Sequence, residues 1–332
     1  MRPRVTLADV AREAQVSSQT VSRVLNNKGP MRPETRELVL QAVERLGYRP
    51  NSIARGLATN RTATLGLIVP DIGNPYFAEV VRGAEDAARD RGYHVFLCNT
   101  DQHPEREEDA VAALEGKWVD GIVLCNPRLP LDRLRALLNR STGVVLVGYD
   151  PIDEAIGTVR VDDVTGAGMA IRHLVERGRR NLVFLSGQPG GPSHAHRLRG
   201  YLQAATDLGL SPDESRYVYC DSNASSGFEA AIEALEAFPA INGMLCFNDL
   251  VAIGALRACA DRNRRIPDDV AVIGFDDILL ASLVQPQLTT VYRPKRELGA
   301  AAIEMLLNHL DGIDQTREVI LAADLAIRQS AP

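Results

Sequence analysis

The chain has 332 residues, enough for two or three domains, and its 45% apolar and 24% charged content is ordinary for a soluble globular protein. No run approaches the ~20 apolar residues of a membrane span, residues 1–6 carry no apolar leader core, and five scattered cysteines without a Cys-x-x-Cys pair favour reduced, buried thiols over disulfides or zinc; a cytoplasmic protein with no membrane partner is expected. The net charge of −6 divides unevenly, since residues 1–64 hold eleven basic and five acidic side chains (+6), leaving −12 on the remainder. A basic head on an acidic body suggests that only the head meets a polyanion, although charge alone is also consistent with a merely solvated basic face.

In chain order, helical signals come first. Leu7, Val10, Ala11 and Ala14 recur at i, i+3, i+4 and i+7, one face of a helix. After Gln15-Val16-Ser17, Ser17 can cap a second helix running to about Asn26. Asn26–Pro30 reads as a loop. A third helix starts at Pro33, keeps Val39, Val43 and Leu46 on one face and stops at Gly47. Residues 51–58 form a helix-like segment of about two turns, marginal by itself in water, and residues 59–64 read as a linker. On the second helix Val21, Val24 and Leu25 face the other helices, leaving Ser18, Gln19, Ser22 and Arg23 on the far side. Arg suits guanine O6 and N7, Gln suits adenine N6 and N7, and Ser suits either. Thr20, Ser22 and Asn26 are candidate phosphate partners. A structural bundle with a polar face is the plainer alternative, disfavoured by the three-residue turn and the +6 charge.

From Leu65 the pattern becomes α/β. Short apolar runs at Leu65–Val69, Val95–Cys98, Gly121–Leu124, Val144–Val147, Leu182–Leu185, Tyr217–Cys220, Met244–Phe247 and Val270–Gly274 alternate with amphipathic stretches, the signature of parallel strands covered on both faces. The length favours two lobes over one large sheet.

Val5-Thr-Leu-Ala-Asp-Val-Ala, Val16-Ser-Ser-Gln-Thr-Val-Ser-Arg-Val-Leu-Asn, Thr35-Arg, Gly47-Tyr-Arg-Pro-Asn and Ala54-Arg-Gly-Leu-Ala together resemble the head of the lactose-repressor/galactose-repressor (LacI/GalR) family of bacterial transcriptional regulators. The likeness extends along nearly the whole chain. It implies an all-α helix-turn-helix head at residues 1–50, a hinge helix and linker at 51–64, and a two-lobed periplasmic-binding-protein-like body with parallel sheets at 65–332. It implies base reading by Ser18, Gln19 and Arg23, further DNA contacts from Thr6, Thr20, Ser22 and Asn26, and a hinge in which Asn51 and Ala54 meet DNA while Leu57 wedges into the minor groove. The partners implied are a palindromic double-stranded operator, a second copy of the chain, and a small polar effector such as a sugar. Two positions depart from the pattern. Gln15 stands where a glycine usually supplies φ > 0, implying strain of roughly 1 kcal/mol or a slightly altered turn, and Arg32 stands where a serine-type cap is usual, a loss of roughly 1 kcal/mol partly offset by Pro33.

For the body, the resemblance assigns the effector to Asp150, Arg197, Asn248 and Asp276, with Tyr76 or Phe77 stacking on it and Arg293 at the same cleft. Two arginines there fit an effector with acid or phosphate groups, and equally fit internal pairing with aspartates. Asp249 and Asp277 read as capping or solvated residues, and His194 and His196 as exposed polar residues on a Gly/Pro-rich loop. No nucleophile motif, phosphate loop or metal cluster is evident, so no cofactor is expected. The rivals are a transport-type solute-binding protein, which would lack a basic head, and a sugar-processing enzyme, for which Asp150 with Asp276 is the one candidate carboxylate pair.

Overall fold

A computed structural model describes residues 5–25, 29–48, 61–139, 143–153, 156–210, 216–313 and 316–332, and the chain divides into an N-terminal unit, residues 1–62, and a larger unit, residues 63–332. In the first unit, α1 (Leu7–Glu13) is capped by Thr6, whose Oγ1 accepts from Asp9 N–H while the Asp9 carboxylate accepts from Thr6 N–H, satisfying two end donors reciprocally. The chain then turns at Gln15, which takes the expected left-handed conformation (φ 53°). Ser17 Oγ accepts from Thr20 N–H (3.1 Å) at the start of α2 (Ser18–Leu25). α3 (Pro33–Leu46) begins at Arg32 with no side-chain cap and ends at Gly47 (φ 62°). Val10, Ala11, Ala14, Val21, Val24, Val39 and Ala42 form the shared core. The expected hinge helix, with Asn51, Ala54 and Leu57, and the first residues of the 26–30 loop lie outside the described residues.

The larger unit has two lobes. The first contains β1 (Thr64–Val69), α4 (Pro75–Asp90), β2 (His94–Asn99), α5 (Pro104–Glu115), β3 (Gly121–Cys125), α6 (Leu131–Leu138), β4 (Val144–Val147) and β5 (Gly157–Val161). The chain crosses to the second lobe for α7 (Asp163–Glu176), β6 (Leu182–Gly187), α8 (Pro192–Asp207), β7 (Tyr217–Cys220), α9 (Ala224–Ala237), β8 (Gly243–Cys246), α10 (Asp249–Asp261), β9 (Ala271–Asp276) and β10 (Thr289–Tyr292). It returns for α11 (Lys295–Leu310) and β11 (Glu318–Leu321), then crosses a third time to β12 (Asp324–Ala326). The sheets run β11-β5-β4-β3-β1-β2 and β12-β10-β9-β8-β6-β7. All pairings are parallel except that of β12 with β10. The crossovers β5–α7, β10–α11 and β11–β12 are thus the three links between lobes.

All eight apolar runs are strands, within a residue or two of their expected ends. Four strands were not anticipated, namely β5, β10, β11 and β12. Helices that flank each sheet touch through glycine, which lets backbones meet: Gly83 of α4 packs against the Arg296 carbonyl and Gly299 of α11 against that of Val80. No described helix is long and apolar enough to cross a membrane.

Candidate functional site

On the head, α2 turns Val21 and Val24 inward and leaves Ser18, Gln19 and Arg23 exposed, with Thr20 and Ser22 half-buried beside them. Thr20 Oγ1 is bonded to Ser17 Oγ (2.9 Å), so part of its capacity goes to the helix start. Thr6 is exposed but spends its hydroxyl on Asp9 (2.7 Å). Asn26 lies outside the described residues.

The body carries a cavity between its lobes, built from loops at the carboxyl ends of the parallel strands, where α/β folds place ligands. Tyr76, Phe77, Arg197, Asn248, Asp276 and Arg293 all line it, together with the unanticipated Gln102, Asn126, Arg128 and Ser193. Asp150 is not among the lining residues. It is half-exposed, and its carboxylate is held by His196 Nε2 (2.8 Å) across the lobes and by Arg160 (3.6 Å).

Four buried charges form a quartet. Arg197 donates through Nε to Asp163 Oδ2 (3.1 Å), through Nη1 to the Phe247 carbonyl, and through Nη2 to Asp276 Oδ1 (3.5 Å). Arg293 donates through Nη1 to the same Asp276 oxygen (3.2 Å), and its Nε stands 3.0 Å from Asp163 Oδ1 without hydrogen-bond alignment. All four residues are 2–4% exposed. Internal Arg–Asp pairing is therefore present, and two aspartates balance the two arginines. Burial raises the Asp276 pKa, with the two guanidiniums opposing the rise. For Arg293 burial works against the charge, but Asp163, Tyr76 and Asp276 outweigh it and its pKa lies above the usual range. Arg197 is sandwiched between the rings of Phe247 and Phe275 (4.6 and 3.9 Å to the centroids), and Arg293 sits over Tyr76 (4.5 Å). Asp163 carried no signal in the sequence, because β5, the strand that leads into it, was itself not anticipated. Asp162 caps α7, accepting from Thr165 N–H (3.0 Å), while its neighbour points into the quartet.

Other expectations need correction. His194 and His196 are not exposed loop residues; α8 begins at Pro192, so both fall in its opening turns and are 9% and 4% exposed. Asp249 neither caps nor meets solvent. Asn248 caps α10 by accepting from Val251 N–H (2.8 Å), while the fully buried Asp249 accepts from Thr290 Oγ1 (2.5 Å) and Ile278 N–H (2.7 Å). Asp277 is paired with Arg328 (2.7 Å). Asp150 and Asp276 are each committed to other partners, so the carboxylate pair of a sugar-processing enzyme is not formed. No group of three metal-ligating side chains occurs among the described residues.

A helix-turn-helix unit joined to a two-lobed α/β body with a polar interlobe cavity defines a DNA-binding regulator with a ligand-binding domain. The comparisons narrow this class. The profile for "Bacterial regulatory proteins, lacI family" matches residues 6–51, and that for "Periplasmic binding proteins and sugar binding domain of LacI family" matches residues 62–329. The chain belongs to the LacI family, and it is a transcriptional regulator, not an enzyme. Catabolite control protein A of Priestia megaterium is 38% identical, over 92% of this chain and 93% of its own. The ribose operon repressor of Halalkalibacterium halodurans is 36% identical, over 92% and 90% respectively. Among solved structures, a lac repressor dimer bound to operator and the anti-inducer ONPF superposes with a TM-score of 0.91 at 27% identity, covering 99% of each chain.

Proposed function

We propose that the protein is a repressor that binds a palindromic operator as a homodimer and releases or tightens its grip when a small polar effector, a sugar or sugar derivative, occupies the interlobe cavity. The observation that carries the DNA reading is the division of α2, with valines inward and Ser18, Gln19 and Arg23 exposed on one face. In this reading those three select bases, Thr6, Thr20, Ser22 and Asn26 position the head on phosphates, and Asn51, Ala54 and Leu57 act in the hinge. Tyr76, Phe77, Arg197, Asn248, Asp276 and Arg293 contact the effector, and Asp150, outside the lining, acts through its pairing with His196. The lac repressor dimer bound to operator and the anti-inducer ONPF supplies the precedent for both partners. Two copies match a two-fold operator, and the effector acts by binding the two lobe arrangements unequally.

Selection of binding sites from a random duplex pool tests the reading. An inverted repeat is expected for the full chain. Arg23→Ala should lose about 1–3 kcal/mol of preference at one position of each half-site. Enrichment of single half-sites would sink the dimeric operator, and uniform weakening without a change in preference would move Arg23 to phosphate contact.

A further inference from the structure

The quartet around Arg197 and Arg293 is electrically balanced, so it gives no reason to expect a charged effector. A different corner of the same cavity holds a guanidinium with no carboxylate in direct contact among the described residues. Arg128, on the loop after β3, is fixed by Glu107, whose carboxylate accepts from the backbone N–H groups of Arg128 and Leu129 (2.8 and 3.1 Å). Its guanidinium donates only to Gln102 Oε1 (3.1 Å) and forms no ion pair among the described residues. Asp71, also in the lining, turns Oδ1 to Gly73 N–H, and Glu107 and Asp221 act on the guanidinium only at longer range.

From the other lobe the same corner receives the start of α8. A Cβ added to Gly191 would stand 3.3 Å from Arg128 Nη1, so helix backbone and guanidinium are nearly in contact. Gly191 provides no side-chain cap. Ser193 is 8% exposed, accepts from Asn126 Nδ2 (3.0 Å), and has no acceptor for its own hydroxyl proton among the described residues. A cation facing the positive end of a 16-residue helix is repulsive, and an anion between them reverses the sign. Burial depresses the Arg128 pKa, and the charges of Glu107 and Asp221 oppose the fall.

We propose that Arg128, the Ser193 hydroxyl and the first turn of α8 receive an anionic group of the effector, so that the molecule sensed is a polyhydroxylated acid or phosphate ester and not a neutral sugar. The inference rests on the cavity being the effector site. Because Arg128 belongs to one lobe and α8 to the other, the anion also draws the lobes together.

Calorimetric titration of the full chain with glucose, gluconate, glucose 6-phosphate, ribose, ribose 5-phosphate and inorganic phosphate tests it. An acid or phosphate should bind at least tenfold tighter than its neutral parent, and Arg128→Met should erase most of that margin while Arg128→Lys restores part of it. Gluconate and glucose 6-phosphate separate a carboxylate from a phosphate. A neutral parent that binds as tightly, no anionic binder in the panel, or an Arg128→Met protein with unchanged affinity would each overturn the proposal. Asp276→Asn separates the two levels. If it weakens binding while Arg128→Met does not, the anion site fails and the cavity stands; if neither variant alters a measured affinity, the cavity reading fails too.

Discussion

Arg293 and Asp249 show how differently two buried charges can be held. Arg293 shares Asp163 and Asp276 with Arg197, so removing it strands carboxylate charge in the interior. Arg293→Met should cost about 3–5 kcal/mol in chemical denaturation, and adding Asp163→Asn should recover a large part by restoring neutrality. Full additivity of the two changes would contradict the quartet as a unit. Asp249 has no cation in contact among the described residues. Burial, then the Asp276 charge, raises its pKa well above the ordinary carboxyl value, against the hydrogen bonds from Thr290 and Ile278. A folded pKa above the unfolded one contributes stability that is complete below about pH 4 and is lost as pH rises through the folded value. Asparagine does not titrate and can still accept from Ile278 N–H while donating to Thr290. The unfolding free energy of Asp249→Asn relative to the parent should therefore climb between pH 4 and pH 8; a flat difference would refute the buried-carboxyl account.

At the scale of elements, the segment between β9 and α11 carries the cleft. Asp276 (φ 109°) and Asp277 (φ 53°) are consecutive non-glycine residues in left-handed backbone. Lys295, at the first position of α11, donates Nζ to both their carbonyls (2.7 and 2.8 Å). Lys295→Met should destabilise the protein by about 2–3 kcal/mol and weaken any cleft ligand bound through Asp276, measured by denaturation and calorimetry. Much of this layout was legible in the sequence: eight continuous apolar runs read as buried parallel strands and became parallel strands, six of them buried, while β2 at one sheet edge is largely exposed and β7 at the other is partly so. The strands that escaped are short or polar. β5 is Gly-Thr-Val-Arg-Val, β10 begins with two threonines, and β11 and β12 lie at sheet edges where exposure breaks the apolar run. The site was half legible. Cleft residues at strand ends were found, but Asp163 meets Arg197 and Arg293 only through folding. The Gly/Pro-rich stretch before α8 also hid two buried histidines.

At the scale of the molecule, charge separates the two units, with +6 on residues 1–64 and −12 on the remainder. Operator affinity should fall steeply with salt, on the order of 10³-fold or more between 50 and 200 mM if two heads neutralise six or more phosphates. Fluorescence anisotropy on a selected duplex measures the slope, and a shallow one would mean that few of the basic residues meet the backbone. The interlobe cavity is read by a different balance, since its most buried charges already cancel.

The three crossovers also bear on how the chain is made. The first lobe's sheet needs β5 from the middle of the sequence and β11 from near its end, so neither lobe is a contiguous stretch. A ribosome must deliver residue 321 before that sheet can close, whereas the three described helices of the head are complete by Tyr48. In every newly synthesised copy, the basic head is ready to fold long before the acidic body, and the two lobes must finish together.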